Sequence, residues 1–223
     1  QNWQIADIKA AGRVTPLKTS PGELVSEAIA TGAKVLVSTY NEPLITAEWS
    51  AAVFTAAKEK GLRTAFVSNG YATPEAAAFL KPVLDFWKVD LKCFNDANYR
   101  EVCGAELPKV LDGLKLILAA GFFVEVVTLV IPGFNDSDAE IGAMAAFLAG
   151  LSKDIPWHLT AFHPDHRRTG TPPTPRETLY PARDIARAAG LRYVYTGNDT
   201  GAGGQDTICP SCGLAVLTRE GFS

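Results

Sequence analysis

The stretch AAKEKGLRTAFVSNG, residues 56–70, contains the pattern that decides the fold. An Ala-rich segment reaches Gly61, a mostly apolar run follows over Arg63–Asn69, and Ser-Asn-Gly closes the stretch. Glycine adopts the left-handed backbone conformation that stops a helix at little cost. The stretch therefore predicts a helix, a tight turn and a strand in direct succession.

The same succession recurs along the chain, with Gly32, Gly121 and Gly190 in the place of Gly61. The predicted strands are Lys34–Tyr40, Arg63–Asn69, Phe86–Lys92, Phe122–Ile131, Trp157–Phe162 and Arg192–Gly197. The predicted helices include Thr46–Lys60, Pro74–Leu84, Lys109–Ala120, Ser137–Ala149 and Pro175–Ala189. Alternating helices and strands with short connections imply parallel strands, hence an α/β barrel or an open sheet.

The composition excludes two classes of partner. Of the 223 residues, 47% are hydrophobic and 20% are charged, which is typical of a globular protein. The net charge of -3, with lysine and arginine scattered, provides no basic field for nucleic acid. Since no run approaches the roughly 18 apolar residues of a membrane span, we expect neither a nucleic-acid nor a membrane partner.

A site is expected at the carboxyl ends of the parallel strands, in either architecture. Glu42 lies at such an end, in Ser-Thr-Tyr-Asn-Glu-Pro at 38–43. Its carboxylate suits binding of a cationic group, or general acid catalysis as in barrel glycosidases. A third interpretation is that Glu42 caps a helix that begins near Ile45.

Two further strand ends contain charged or titratable residues. Asp90 and Lys92 lie two apart, so they share one face of a strand and either hold both ends of a zwitterion or pair with each other. His163 follows the strand Trp157–Phe162 and is either a hydrogen-bonded loop residue or a ligand contact. The histidines at 158, 163 and 166 lack a zinc-binding arrangement.

The cysteines indicate metal or redox chemistry rather than a disulfide framework. Cys209 and Cys212 form a CxxC pair, typical of a reducing compartment, so we expect a cytoplasmic protein. The pair resembles half of a zinc-binding knuckle; a redox dithiol or an unliganded pair remains open. Cys93 and Cys103 are expected to be small buried residues. The run Gly201–Gly204 is interpreted as a linker rather than a phosphate loop.

Several motifs, taken together, identify a family. They are Thr-Tyr-Asn-Glu-Pro at 39–43, Val-Ser-Asn-Gly at 67–70, Val-Asp-Leu-Lys at 89–92, Ile-Pro-Gly-Phe-Asn-Asp at 131–136 and Phe-His-Pro at 162–164. Their order resembles radical S-adenosylmethionine enzymes of the pyruvate formate-lyase activating enzyme type, and most closely the AmmeMemoRadiSam-system branch. In that branch a phrase like Gln-Asn-Trp-Gln-Ile at 1–5 directly follows the last cysteine of a CxxxCxxC motif.

The resemblance implies cofactors and a reaction. S-adenosylmethionine would chelate the open iron of a 4Fe-4S cluster and, with an electron donor, be cleaved to a 5'-deoxyadenosyl radical that abstracts hydrogen from a protein or small-molecule substrate. The positions that match the family's cofactor-binding motifs are Tyr40, Asn41, Glu42, Pro43, Ser68, Asn69, Asp90, Lys92 and His163.

By the same resemblance, Tyr40–Pro43 match the motif that holds the methionine amino group, and Asp90 and Lys92 match residues near its carboxylate. His163 matches a nucleoside contact, and Ser68 with Asn69 match a contact to methionine or ribose. Some activating enzymes have an acidic residue at the position of Val67, so a cation site built on that acid is not expected here.

The sequence predicts a partial parallel (β/α) barrel of the radical SAM type over residues 1–198, without its first strand. A glycine-rich linker and a CxxC appendage, half of a zinc ribbon, follow over 199–223. The motif CxxxCxxC is absent, so we expect a fragment whose cluster ligands lie upstream of Gln1. The alternatives are a barrel glycosidase that uses Glu42 and a non-enzymatic zinc-ribbon adaptor.

Overall fold

The computed structural model describes residues 17–199 and 204–219. The main strands are β1 Val35–Ser38, β2 Arg63–Ser68, β3 Phe86–Asp90, β4 Phe123–Val130, β5 Trp157–Ala161 and β6 Val194–Gly197, and a hairpin follows with β7 Thr207–Ile208 and β8 Ala215–Leu217. The α-helices are α1 Pro21–Ala30, α2 Ala47–Glu59, α3 Pro74–Leu80, α4 Asp96–Asn98, α5 Leu107–Ala119, α6 Asp138–Leu151 and α7 Arg176–Ala188. A 3-10 turn, Pro43–Thr46, precedes α2, and a π turn, Tyr99–Cys103, continues α4.

The chain forms two compact units: residues 1–90 with 109–124, and residues 91–108 with 125–223. In the first unit β1, β2 and β3 are parallel neighbours in that order. Side chains alternate between the two faces of each strand. On one face Phe54 of α2 contacts Phe66 of β2, and Trp87 of β3 contacts Phe66 and Phe122. This aromatic stack packs α2 and Phe122 against β2 and β3.

In the second unit β4, β5 and β6 are parallel neighbours. The buried Trp157 donates from Nε1 to Thr128 Oγ1 at 3.0 Å, which joins β5 to β4 inside the core. Thr174 donates from Oγ1 to the carbonyl of Val130 and accepts from the Phe162 amide. The loop that contains Thr174 therefore ties the carboxyl ends of β4 and β5 together.

The predicted alternation is confirmed, since all the predicted strands are present with ends shifted by one or two residues. Gly32, Gly61, Gly121 and Gly190 all have positive φ, as the helix-stop interpretation requires. The helix predicted to reach Leu84 ends at Leu80 because Pro82 has no amide hydrogen to continue it.

The prediction that both Cys93 and Cys103 are buried is right for Cys93 and wrong for Cys103. Cys103 ends the π turn, whose next residue, Gly104, has φ 63°, and the turn leaves Cys103 at the surface. Burial raises the pKa of the Cys93 thiol to about 11. Cys93 therefore stays a protonated, apolar core residue near neutral pH.

Part of the sequence analysis falls on residues outside the described ranges, namely the phrase at 1–5 and the glycine run at 201–203. Over 17–199 and 204–219, no helix combines the length and apolar character needed to cross a membrane. The cytoplasmic location and the domain boundary at 198/199 stay predictions.

Candidate functional site at the strand ends

Glu42 lies just beyond β1, and its side chain reaches the end of β2. Its Oε1 accepts from Ser68 Oγ at 2.9 Å and from the Leu44 amide at 3.2 Å, while Oε2 accepts from the Asn69 amide at 2.7 Å. All three partners donate, which suits an ionised carboxylate. The side chain also caps the 3-10 turn Pro43–Thr46, so the capping interpretation holds together with a second role. Glu42 therefore holds the ends of β1 and β2 together.

The loop after β2 is shaped around this contact. Ser68 is buried, and its Oγ accepts from the Gly70 amide at 3.1 Å, while Asn69 Oδ1 accepts from the Tyr71 amide at 2.9 Å. Gly70 has φ 80°, a conformation that favours glycine. The side chain of Asn69 is exposed, so the loop presents it to solvent at the strand end.

Gly113 of α5 is a site residue that the sequence analysis missed. A Cβ at this position would collide with the carbonyl oxygen of Gly70. The helix therefore approaches the Ser68–Gly70 loop backbone more closely than any side chain allows. A glycine in mid-helix, where propensity disfavours it, was the signal in the sequence.

The other members of the Tyr40–Pro43 segment divide by burial. Pro43 is buried, Asn41 is exposed and Tyr40 is 57% exposed. The Tyr40–Asn41 peptide bond is cis. The segment thus presents its two residues before Glu42 to solvent and anchors itself through Glu42 and Pro43.

Asp90 ends β3 at the same edge. In the parallel register Ser68 is opposite Val89, so Asp90 lies one residue beyond that pair, beside the Asn69 end of β2. Asp90 is half-buried and makes a hydrogen bond or an electrostatic contact with another residue. In the first unit the structure therefore brings Glu42, Ser68 and Asn69 into contact and places Asp90 at their sheet edge.

Lys92 belongs to the second unit, where side chains hold its backbone on both sides. The Lys92 amide donates to Tyr99 Oη at 3.2 Å, and the Lys92 carbonyl accepts from Asn135 Nδ2 at 2.6 Å. Asn135, fully buried, also donates to the Leu129 carbonyl and accepts from the Ile131 amide. Asn135 therefore fixes the Lys92 backbone to the end of β4.

The residues next to Lys92 are held in the same way. Thr128 Oγ1 donates to the Leu91 carbonyl at 2.8 Å, and the Phe94 amide donates to Glu140 Oε1 at 2.6 Å. The segment from 91 to 94 thus has its direction set by buried or half-buried side chains. Sequence analysis quoted the motif that contains Asn135 but gave that residue no role.

His163 is exposed and comes two residues after the end of β5. The preceding residue, Phe162, is held by Thr174 through hydrogen bonds from the Phe162 amide to Oγ1 and from the Thr174 amide to the Phe162 carbonyl, both 2.9 Å. His163 is therefore an accessible ring on a fixed strand end, as a ligand contact requires.

Cys209 and Cys212 lie in the turn of the β7–β8 hairpin. The Cys209 amide donates to the Leu214 carbonyl, and the Gly213 amide donates to the Cys209 carbonyl at 2.9 Å. The amides of Cys212 and Ser211 lower the pKa of the Cys209 thiol below its usual value. A thiolate in a tight turn suits a soft metal ion, but two thiolates are half of a tetrahedral zinc set.

The residues present do not fit a 4Fe-4S cluster. Among residues 17–199 and 204–219, no group of three or more Cys, His, Asp or Glu side chains converges as a metal site. All four cysteines lie in those ranges, and none belongs to a CxxxCxxC motif.

The arrangement also argues against a glycosidase. A general acid must hold a proton for the leaving group, whereas both Glu42 oxygens accept hydrogen bonds from donors. Glu42 is therefore arranged as an acceptor.

The chain was compared with known proteins. The Radical SAM superfamily profile matches residues 7–145. An uncharacterized protein of Methanocaldococcus jannaschii is 36% identical over 100% of this chain and 66% of its own length. The isethionate sulfite-lyase activating enzyme of Nitratidesulfovibrio vulgaris is 32% identical over 55% of this chain and 40% of its own length. The chain thus spans less than two thirds of these relatives.

A solved structure shows the same fold. A domain of the pyruvate-formate lyase-activating enzyme from Bacteroides vulgatus superposes with a TM-score of 0.65 at 20% identity, over 73% of this chain and 98% of that domain. This likeness confirms the predicted partial barrel of the radical SAM type. S-adenosylmethionine and a 4Fe-4S cluster are the cofactors of the family that the profile names. With the profile matching more than half of its residues, this chain belongs to the radical SAM superfamily.

Proposed function

We propose that this chain is the S-adenosylmethionine-binding part of a radical SAM enzyme that abstracts hydrogen in the manner of activating enzymes. The observation that carries the proposal is the pair of hydrogen bonds, from Ser68 and Asn69 to Glu42, that joins the ends of β1 and β2. It lies within the matched residues 7–145. By the resemblance of Tyr40–Pro43 to the family's motif, this segment would hold the methionine amino group.

We assign the methionine ammonium to the Tyr40–Pro43 segment. Carbonyl oxygens of this segment would accept its protons, and Glu42 would supply negative charge nearby. A carboxylate has about four acceptor positions, and three are in use on Glu42. Glu42 would therefore act chiefly by holding the segment and by its charge.

The other binding residues are assigned roles according to the strand end at which each lies. The Lys92 ammonium would pair with the methionine carboxylate, and Asp90 would orient it from the end of β3. Ser68 and Asn69 would approach the methionine or the ribose, and the exposed ring of His163 would contact the nucleoside. Asn135 would act through the Lys92 backbone as a positioning residue.

In the whole enzyme, a 4Fe-4S cluster would supply the electron for cleavage of S-adenosylmethionine, and an electron donor would be required. Since the four cysteines of this chain lack the required spacing, we propose that its ligands are cysteines outside this sequence. The substrate would be a protein or a small molecule; the Nitratidesulfovibrio relative is named as the activator of a lyase.

The proposal is tested by calorimetric titration of the chain with S-adenosylmethionine. We expect Glu42→Gln to weaken binding about tenfold, because the loss of charge also loosens the Ser68 and Asn69 contacts. Glu48→Gln is the matched control, since Glu48 is an exposed residue of α2. Lys92→Met should weaken binding through the other end of the zwitterion. Equal affinity in all four proteins would contradict the proposal.

A metal site in the hairpin is a second, separate proposal. We propose that Cys209 and Cys212 are half of a structural zinc site, because the turn brings amides toward the Cys209 sulfur and favours its thiolate. The other two ligands would come from outside the described residues.

A further inference from the structure

The sheet of the first unit has one face that its described helices leave open. The face opposite the aromatic stack contains Val35 and Val37 of β1, Arg63, Ala65 and Val67 of β2, and Phe86, Lys88 and Asp90 of β3. Val35 is 40% exposed and Val37 is 45% exposed; Arg63 is exposed as well, while the other residues of β2 and β3 on this face are half-buried. Parallel sheets are ordinarily covered on both faces, and an apolar face left open indicates a binding surface.

Lys88 lies in the middle of this face, with Asp90 at the end of the same strand and Arg63 at the start of β2. Lys88 is the central residue of β3, and its in-register neighbour on β2 is Val67. Its side chain is half-buried, and no hydrogen bond, ion pair or ring contact joins it to any residue in the described ranges. Asp90, the other half-buried charged residue on this face of β3, makes a hydrogen bond or an electrostatic contact with a residue other than Lys88.

The middle of β3 is an unusual position for a lysine that makes no hydrogen bond or ion pair with the described residues. Lysine is depleted in strand interiors, and partial burial of an unpaired ammonium is unfavourable. Lys58 of α2, by contrast, pairs with Asp85, the residue before β3, at 2.8 Å. The residue that would most simply neutralise Lys88 is its neighbour at 67, which here is valine.

We infer that Lys88 is the anion-recognition residue of the substrate site, and that the substrate is a small molecule with a carboxylate on an apolar body. The inference deepens the proposed function, on which it rests, because the open face belongs to β1, β2 and β3, and the Glu42 contacts join the carboxyl ends of β1 and β2. Val37, Ala65 and Phe86 lie side by side in register and form an apolar row next to the Val67–Lys88 pair.

The charge favours a carboxylate over a phosphate. A lysine is a single point charge with three donors, which matches one carboxylate, whereas phosphate binding sites usually combine several donors or an arginine fork. Of the residues next to Lys88 on this face, Val67 and Phe86 offer apolar contact, and Asp90 makes its contact with a residue other than Lys88. One carboxylate with an apolar remainder is therefore the best complement to the face.

The test compares two probes of equal length, octanoate and octanol, by calorimetric titration of the whole chain without cofactor. We expect octanoate to bind more tightly, and Lys88→Met to weaken octanoate about tenfold or more while leaving octanol unchanged. Lys88→Arg should retain the preference. Lys34→Met is the matched control, because Lys34 is exposed and immediately precedes β1.

Three results would overturn the inference: undetectable octanoate binding, equal binding of both probes to the unaltered chain, or unchanged octanoate affinity in Lys88→Met. The last would mean that the ammonium extends past the apolar surface into solvent. Far-ultraviolet circular dichroism of each variant checks folding. Titration of the same samples with S-adenosylmethionine separates a failure of this inference from a failure of the proposed function.

Discussion

At the residue scale, the site depends on polar side chains that hold backbone rather than ligand. Glu42 joins the ends of β1 and β2 through Ser68 and Asn69, and Asn135 joins Lys92 to the end of β4. Sequence analysis found Glu42 because a carboxylate before a proline at a strand end stands out. It could not assign Asn135, because its partner Lys92 is distant in sequence and a buried asparagine has no local signature.

Asn135→Ala should destabilise the fold by about 2–4 kcal/mol, because it leaves the Lys92 and Leu129 carbonyls and the Ile131 amide without their partner. Urea unfolding measures the change. Asn98→Ala is the control, since the Asn98 side chain makes no hydrogen bond to any other residue in 17–199 or 204–219. A loss below about 0.5 kcal/mol would show that these groups find other partners.

Asp85 gives a pH-dependent prediction. Burial works to raise the pKa of its carboxyl, but hydrogen bonds from Lys58 and Thr64 outweigh burial and hold the pKa below its usual value. A carboxyl with a lowered pKa stabilises the fold above its unfolded pKa of about 3.9, and the stabilisation is lost as the pH falls through the folded pKa. Asp85→Asn should therefore be less stable at pH 7 and should converge with the unaltered chain near pH 2–3 in urea unfolding.

At the element scale, the alternation of strands and glycine-stopped helices was predictable because both signals are local. The bounds of helix α1 were not predicted, although Ser20 and Glu23 form a capping box at its start. The turn after β3, α4 with its π turn, has no periodic pattern. Gly113 looks like a helix defect in the sequence, and its reason lies in the Gly70 loop, which only the fold brings near.

Two glycines in mid-helix should respond in opposite ways to alanine. Gly113→Ala should destabilise by more than about 2 kcal/mol, because the new Cβ meets the Gly70 carbonyl oxygen. Gly142→Ala in α6 should be neutral or stabilise by up to about 1 kcal/mol, since its Cβ would meet only Ile185 at 3.8 Å. Thermal unfolding of the two variants distinguishes helix propensity from close packing; similar shifts in both would contradict the close approach.

The hairpin element tests the zinc proposal. After zinc loading and dialysis, we expect any tightly held zinc to be lost in the double variant Cys209→Ser with Cys212→Ser, because those thiolates are the proposed ligands. Metal analysis of the protein provides the measurement. Stoichiometric zinc that persists in the double variant would place the metal elsewhere.

At the scale of the whole molecule, family and fold could be predicted from motif order, and the profile match over residues 7–145 confirms them. Anaerobic reconstitution with iron and sulfide should give the chain no stable 4Fe-4S absorbance, because its cysteines do not converge. A stoichiometric cluster would contradict that account.

The most direct test of the central claim is a crystal structure of the chain with S-adenosylmethionine. The account predicts the methionine ammonium within hydrogen-bond distance of the Tyr40–Pro43 backbone, with the Glu42 contacts to Ser68 and Asn69 retained. It predicts the methionine carboxylate beside Lys92. Ligand density away from the ends of β1 and β2, with that edge empty, would contradict the account.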